Sequence, residues 1–181
     1  MDELLTALEA IDQLQGEFQQ IQYDQDDRPA GKASGQFKLL RPGYFAWEIS
    51  SPDSQLIIAN REYLWHFDRD LETVTRRPVA DTEAMTPLQV LGGDASALRR
   101  DYTVERDQRD RFVLIPRDGD PGFLRLALEL DGALIRGMEV LDNLRQRVVI
   151  EFSALDPTPG LSAADFDFTP PPDADLFYHE Q

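Results

Sequence analysis

The sequence contains no cysteine, and this absence removes several kinds of chemistry at once. Without a thiol, the chain has no disulfide, no thiolate zinc site, no cysteine nucleophile and no lipid-modified cysteine of its own. Histidine is also scarce, since His66 and His179 are the only two. We expect His66, in the run YLWHFD, to be structural or exposed rather than catalytic, and His179 to lie in a frayed tail.

Basic charge and long apolar runs are scarce too. The chain has 18 lysines and arginines against 34 acidic residues, a formal net charge of −16. Nucleic acids and anionic membrane surfaces attract basic patches, so neither is an expected partner. No apolar run approaches the ~18 residues of a transmembrane helix, so we expect no stable membrane insertion. Residues 1–14 predict a helix directly; for an exported protein we therefore expect that a signal peptide has been removed.

Enzyme motifs are missing as well. The sequence has no P-loop, no GxGxxG after a strand, no GxSxG and no HExxH. The acidic run Asp24, Asp26 and Asp27 resembles the start of a calcium loop, but Arg28 and Pro29 occupy the following ligand and turn positions, which favours a hairpin turn. We therefore identify no catalytic constellation and no metal site in the sequence.

What is present indicates a mainly β (α+β) fold in one domain, residues 1–181. A helix is predicted over ELLTALEAIDQLQ, residues 3–15, with Asp2 as its N-cap. Residues 86–92 predict a short second helix that ends at Gly92-Gly93, and Asp94 can cap a third. Antiparallel strands are predicted near 16–24, 33–40, 43–50, 54–59, 62–67, 71–77, 101–107, 110–116, 122–130, 133–141 and 145–153. The C-terminal region predicts a capped turn, one short strand and an extended proline segment.

Several strands alternate between apolar and polar residues. In RPGYFAWEI, residues 41–49, Phe45, Trp47 and Ile49 share one face. The same pattern aligns Leu124, Leu126, Leu128 and Leu130, and also Val148, Ile150 and Phe152. An apolar sheet face must be covered. The predicted helices can cover it only loosely, which is what a lipid-sized pocket needs.

The order of several sequence blocks resembles a known family. The blocks are LQGEFQQIQYD, then SGQFKLLRPGYFAWEISSPDSQLIIANREYLWHFDRDLETVTRRP, then TPLQVL, DYTVE and FDFTPPPDADL. In this order they resemble the periplasmic outer-membrane lipoprotein carriers of Gram-negative bacteria, the LolA family. The resemblance spans nearly the whole chain.

The resemblance implies an unclosed antiparallel β-barrel of about eleven strands, with a lid of three helices over an apolar concave face. It also implies a periplasmic monomer that receives triacylated lipoproteins from an inner-membrane ABC transporter. The carrier would shield the acyl chains and deliver them to an outer-membrane lipoprotein receptor, without catalysis or a cofactor.

On this interpretation the alternation assigns a set of cavity residues. The strands would contribute Phe37, Leu39, Phe45, Trp47, Ile49, Leu126, Leu128, Val148 and Ile150, and the lid Leu88, Val90 and Leu91. For each residue, plain core packing is the equally simple interpretation, because a cavity wall and a core have the same chemistry.

Arg41 is the predicted lid latch. The family has an arginine before proline at this place, where it bonds backbone carbonyls near a lid helix. A guanidinium offers five donors, and helix ends leave carbonyls unpaired. We expect Pro42 to rigidify the approach and the partners of Arg41 to lie in residues 91–95.

Other functions are compatible with the same pattern. The outer-membrane receptor has the same fold and could have lost its lipidated start. A general binder of fatty acids or other hydrophobic ligands is a second alternative. An enzyme with a buried carboxylate in the cavity is a third, although the sequence points to no such residue.

Overall fold

The computed structural model describes residues 2–41, 43–60, 62–78, 95–117, 123–131, 134–157 and 159–178. The helices are α1 (Asp2–Glu9), α2 (Ala95–Asp101) and a 3₁₀ helix (Ala163–Phe166). The strands are β1 (Gln13–Tyr23), β2 (Pro29–Leu40), β3 (Tyr44–Ser51), β4 (Gln55–Ala59), β5 (Tyr63–Asp68), β6 (Thr73–Pro78), β7 (Tyr102–Arg106), β8 (Phe112–Pro116), β9 (Phe123–Asp131), β10 (Leu134–Asp142), β11 (Arg147–Asp156) and β12 (Asp175–Tyr178). The predicted mainly β class is confirmed.

All strands belong to one 12-stranded sheet in the order β12-β6-β5-β4-β3-β2-β1-β11-β10-β9-β8-β7. Consecutive strands pair antiparallel from β1 to β6 and from β7 to β11, and β1 joins the two halves by pairing with both β2 and β11. The sheet ends at β12 and at β7, so it is unclosed, as predicted. The exception to the antiparallel prediction is β12, which pairs parallel with β6 because the C-terminal segment crosses the outside of the sheet first.

The first helix is shorter than predicted. It ends at Glu9 rather than near residue 15, and β1 begins at Gln13 instead of residue 16. The prediction was wrong because Leu14 fits two patterns, the helical spacing after Leu8 and Ile11 and the strand alternation that leads to Phe18. Pairing of β1 with a strand on each side favours the strand.

The predicted alternation in β9 is wrong at its start. Phe123 is buried, whereas Leu124 is 40% exposed. The pairing with β10 shifts register here, because Asp142 pairs with Phe123 while the preceding Leu141 pairs with Arg125. Such a bulge changes which residues face inward, and the sequence of one strand alone does not reveal it.

The sheet has an apolar cluster on each face. The larger one, here called the concave cluster, consists of Leu4, Leu5, Leu8, Ile11, Leu14, Phe18, Phe37, Leu39, Phe45, Trp47, Ala59, Leu98, Tyr102, Phe112, Leu114, Phe123, Leu126, Leu128, Ile135, Met138, Val140, Ile150 and Phe152. The smaller convex cluster consists of Ala46, Ile58, Trp65, Val74 and Phe166. The helices α1 and α2 contribute to the concave cluster, as a lid would. Residues 86–92, the remaining predicted lid helix, lie outside the described residues.

The C-terminal segment covers the convex face of β3–β6. As predicted, it begins with a capped turn, in which the backbone N–H of Ser162 donates to Oδ2 of Asp165 at 2.8 Å. Phe166 and Phe168 then pack against this face. At β12, the Arg76 guanidinium lies between two rings, 4.0 Å from the centroid of Tyr178 and 4.3 Å from that of Tyr63. This stack ties the terminal strand to β5 and β6.

Candidate functional site

The structure brings the predicted cavity residues from the strands together on the concave face. Seven are buried members of the concave cluster: Phe37, Leu39, Phe45, Trp47, Leu126, Leu128 and Ile150. Ile49 and Val148 are partly buried and pack against that cluster. The predicted lid residues Leu88, Val90 and Leu91 lie outside the described residues.

Aromatic rings fill the centre of the concave face. Trp47 stacks on Phe18 with ring centroids 3.8 Å apart, and Phe37 lies 5.0 Å from Phe152. Phe152 also meets the edge of Trp47 at 6.1 Å. Phe18 and Phe152 were not among the predicted site residues, although each continues an alternation visible in its strand. The aromatic centre is therefore assembled from four strands: β1, β2, β3 and β11.

The helix α1 lies against this aromatic and aliphatic surface. Leu4, Leu5, Leu8 and Ile11 are each at most 3% exposed. In the described part of the chain, the concave face is therefore a packed interior closed by α1. Contacts among buried aliphatic side chains can be replaced by contacts with the methylenes of a hydrocarbon chain. Dispersion forces and the free energy of burial are similar for the two kinds of group.

Arg41 lies where β2 leaves the sheet, close to the end of α1. Its backbone N–H donates to the carbonyl of Asp12 at 2.9 Å. Burial lowers the pKa of the Arg41 guanidinium, while the charges of Glu9 and Asp12 act in the opposite direction. Glu9 is the last residue of α1. Residues 91–94, which we expect among the partners of Arg41, lie outside the described residues.

His66 and the acidic turn take the positions expected of them. His66 is exposed on β5, and its Nε2 lies 2.9 Å from Oε1 of Gln55. In the turn between β1 and β2, Oδ1 of Asp24 accepts the backbone N–H groups of Asp26 and Arg28, both at 2.9 Å. The side chain of Asp24 therefore closes a hairpin turn, as predicted.

A cavity of about 310 Å³ opens on the convex side. Its floor is apolar, with Ala46, Leu56 and Ile58, and Glu17, Lys38, Glu48 and Asp165 are among its polar lining residues. Phe37, a member of the concave cluster, also lines it. None of the helices in the described ranges is both long and apolar enough to cross a bilayer.

Comparison with known proteins identifies outer-membrane lipoprotein carrier proteins as relatives of this chain. A family model described as "Outer membrane lipoprotein carrier protein LolA" matches residues 9–169. An outer-membrane lipoprotein carrier protein of Methylococcus capsulatus is 32% identical over 178 residues, covering 96% of this chain and 85% of its own length. One from Alcanivorax borkumensis is 31% identical and covers 99% of this chain and 88% of its own.

Solved structures share the fold at low sequence identity. An uncharacterised conserved protein of Thermus thermophilus superposes with a TM-score of 0.60 at 14% identity, covering 98% of both chains. A putative outer membrane lipoprotein-sorting protein domain of Vibrio parahaemolyticus gives a TM-score of 0.55 at 14% identity, covering 91% of this chain and 95% of its own. These similarities concern the architecture alone.

Proposed function

We propose that this chain takes the acyl chains of its cargo into the concave cluster. The chain belongs to the LolA family of outer membrane lipoprotein carrier proteins and is thus a lipoprotein carrier. The observation that carries the proposal is the assembly of the predicted strand residues, with α1, into one apolar cluster. A carrier needs such a surface, because the acyl chains are the part of a lipoprotein that water excludes.

The energetics explain why a carrier is required. Three acyl chains contain about 45 methylenes, and exposing them to water costs on the order of 35 kcal/mol at ~0.8 kcal/mol per methylene. A lipoprotein therefore cannot cross an aqueous space unaided. Burial against Phe45, Trp47 and their neighbours recovers much of this cost. An apolar surface without fixed polar contacts also accepts different cargo proteins, because they share the lipid.

Acyl chains can enter only if the packed interior opens. The helix α1 is eight residues long and is held to the sheet by Leu4, Leu5 and Leu8, with Ile11 packed just after its end. A helix of this length has little stability of its own and depends on its contacts with the sheet. A movement of α1 therefore requires that these contacts change. We propose that α1 is displaced when cargo enters, together with the lid residues Leu88, Val90 and Leu91.

Arg41 is proposed as the latch of this lid. Its position near Glu9 places a cation close to the C-terminal end of α1, where backbone carbonyls lack helical partners. A guanidinium there can hold the helix end while the lid is shut. Contacts of Arg41 with residues 91–95 belong to the same proposal.

The proposed setting is the periplasm. There the protein, as a monomer, would receive triacylated lipoproteins from an inner-membrane lipoprotein-releasing ABC transporter and deliver them to an outer-membrane receptor. It would act by binding alone, without catalysis or a cofactor. The net charge of −16 would favour a receptor with a basic face, since complementary fields speed encounter.

Competition with a hydrophobic fluorophore tests this function. A synthetic triacylated lipopeptide should displace the fluorophore strongly from the purified protein, and palmitate run in parallel should displace it weakly. Equal displacement by both ligands would contradict a lipoprotein carrier and indicate a general binder of hydrophobic molecules. Failure of both to displace a bound fluorophore would contradict acyl binding altogether.

A further inference from the structure

The concave face changes from apolar to polar toward the β12 edge of the sheet. On β3 it carries Phe45, Trp47 and Ile49, but on β6 it carries Thr73, Thr75 and Arg77. The register establishes this: Trp47 pairs with Ile57, Ile57 with His66, and His66 with Thr75. We name the polar residues of this region the polar strip. It consists of Gln55, His66, Asp68, Thr73, Thr75 and Arg77, and Asp68 belongs to it because it pairs with both Gln55 and Thr73.

The two faces of β5 and β6 are reversed relative to the rest of the sheet. Trp65 and Val74 point to the convex side, where the C-terminal segment covers them. Apart from Leu64, which packs against the concave cluster, the apolar residues of these strands are thus on the convex side, and their concave side is polar, with His66 and Arg77 exposed. A face that served only to close the interior would need no such reversal.

The polar strip is continuous with the concave cluster. Ile57 and Leu64 pack against that cluster, and in the sheet they pair with His66 and Arg77 respectively. A molecule that is apolar at one end and polar at the other could therefore lie across both regions. Every triacylated lipoprotein has this form, because its acyl chains are joined covalently to a polypeptide.

We infer that the polar strip binds the polypeptide segment that directly follows the acylated residue of a lipoprotein. This inference rests on the proposed function, which places the acyl chains in the adjoining cluster. The segment leaves the carrier beside the acyl chains, and its backbone needs hydrogen-bonding partners wherever it contacts protein. An apolar wall would leave those groups unsatisfied, whereas the polar strip supplies partners.

The strip offers both donors and acceptors. Arg77 presents guanidinium donors to peptide carbonyls, and the hydroxyls of Thr73 and Thr75 donate and accept. Burial lowers the pKa of His66; Asp68 opposes this change and Arg77 reinforces it. Near neutral pH the imidazole is therefore mostly uncharged, and because its Nε2 lies 2.9 Å from the acceptor Oε1 of Gln55, its Nδ1 is the nitrogen left to accept a hydrogen bond. Phe177, which pairs with Thr75 at the sheet edge and is 54% exposed, adds an apolar contact.

Site-directed photocrosslinking tests the inference in the full chain. The chain has no cysteine, so a single introduced cysteine takes a photoreactive maleimide at one position only. The positions are Thr75→Cys in the strip, Ile49→Cys beside the cluster and Thr103→Cys on the distant edge strand β7. After irradiation with a triacylated lipopeptide carrying about ten residues, mass spectrometry identifies the attached part.

The expected result is attachment to the peptide from Thr75→Cys, to an acyl chain from Ile49→Cys and to neither from Thr103→Cys. Attachment of acyl chains at Thr75→Cys, or no product there while Ile49→Cys reacts, would overturn the inference and leave the proposed function standing. No acyl product at Ile49→Cys would count against the proposed function itself.

Affinity gives an independent measure. The double variant Thr75→Val/Arg77→Gln should bind the lipopeptide about tenfold more weakly than the native chain, which corresponds to the loss of one or two net hydrogen bonds. Its affinity for a triacylated cysteine ester without peptide should be unchanged. The control variant Thr103→Val/Arg125→Gln makes the same chemical changes at exposed sites outside the strip and should alter neither affinity. Equal effects on both ligands in the strip variant would contradict a peptide site.

Discussion

The ring of Phe18 stacks on the ring of Trp47, with centroids 3.8 Å apart and planes inclined by 21°. These residues lie on β1 and β3, and β2 runs between the two strands. At the level of Phe18, β2 carries Gly35, which pairs with Phe18 on one side and Ile49 on the other. Gly35, which has no side chain, thus lies between the strands that carry the two rings.

Gly35→Ala should destabilise the protein strongly. A Cβ at Gly35 would lie 1.8 Å from the carbonyl oxygen of Glu48, a backbone atom that cannot move without disturbing the β2–β3 pairing. We expect the free energy of unfolding to fall by at least about 2 kcal/mol, as for an overpacked site. Urea denaturation measures it. Gly31→Ala, on the same strand with nothing within 4 Å, is the matched control and should be nearly neutral.

Phe18→Ala should lower the free energy of unfolding and strengthen the binding of hydrophobic ligands. Removing this fully buried ring should cost about 3 to 5 kcal/mol of unfolding free energy. It also vacates the space that acyl chains are proposed to occupy, so a hydrophobic fluorophore should bind more tightly. Phe166→Ala, equally buried but in the convex cluster, should lose similar stability without any gain in binding. Tighter fluorophore binding by Phe166→Ala as well would show that the loss of stability alone explains the tighter binding by Phe18→Ala.

Glu139 should make stability depend on pH in the acidic range. Burial alone would raise the pKa of Glu139, but the hydrogen bond and charge of Arg111, helped by Arg147, outweigh it and lower the pKa. Arg111 Nη1 lies 2.7 Å from Oε2 of Glu139. The ionised carboxylate therefore contributes stability that is fully present above the ordinary glutamate pKa of about 4.3 and is lost as the pH falls through the lower folded value.

Glu139→Gln should accordingly unfold about 1 to 3 kcal/mol more easily than the native chain at pH 7. The difference should shrink as the pH falls below about 4, where the native carboxyl becomes protonated too. Denaturation curves at a series of pH values provide the measurement, with Glu151→Gln at an exposed position of β11 as the control. A difference that stays constant down to the lowest pH would exclude the ion pair as its cause.

Arg41→Leu should slow cargo transfer and leave the fold intact. The substitution removes the cation near Glu9 at the end of α1 while retaining an aliphatic side chain. We expect normal circular dichroism and slower delivery of a triacylated lipoprotein to receptor-containing membranes. Arg41→Lys, which keeps the charge but not the forked donors, should lie between the two. Delivery by Arg41→Leu at the native rate would refute the latch.

The sequence predicts most of the sheet because period-2 alternation is a local property. Phe45, Trp47 and Ile49 could be assigned to one face without knowing their neighbours, and the structure confirms their common cluster. The burial of Phe123 and the parallel pairing of β12 were missed, because each depends on how the strand pairs with its neighbour in the sheet. The predicted helix α1 was too long because Leu14 fits both the helical spacing and the strand alternation.

The site was harder to predict than the fold. Alternation separates one face from the other, but it does not distinguish a cavity wall from a packed interior. The rings of Phe18, Phe37 and Phe152 meet Trp47 only after β1, β2, β3 and β11 have come together in the sheet. Likewise, the polar strip of β5 and β6 becomes visible only when the register shows which face His66 and Arg77 share with Trp47.

The two tryptophans permit the most direct test of acyl binding at the concave face. Trp47 belongs to the concave cluster and Trp65 to the convex cluster, and the chain has no others. The variants Trp65→Phe and Trp47→Phe therefore each report on one face. A triacylated lipopeptide with brominated acyl chains, which quench fluorescence on contact, should quench Trp65→Phe strongly and leave Trp47→Phe nearly unchanged. Quenching confined to Trp47→Phe, or absent from both variants despite measured binding, would contradict the proposal that the concave cluster receives the lipid.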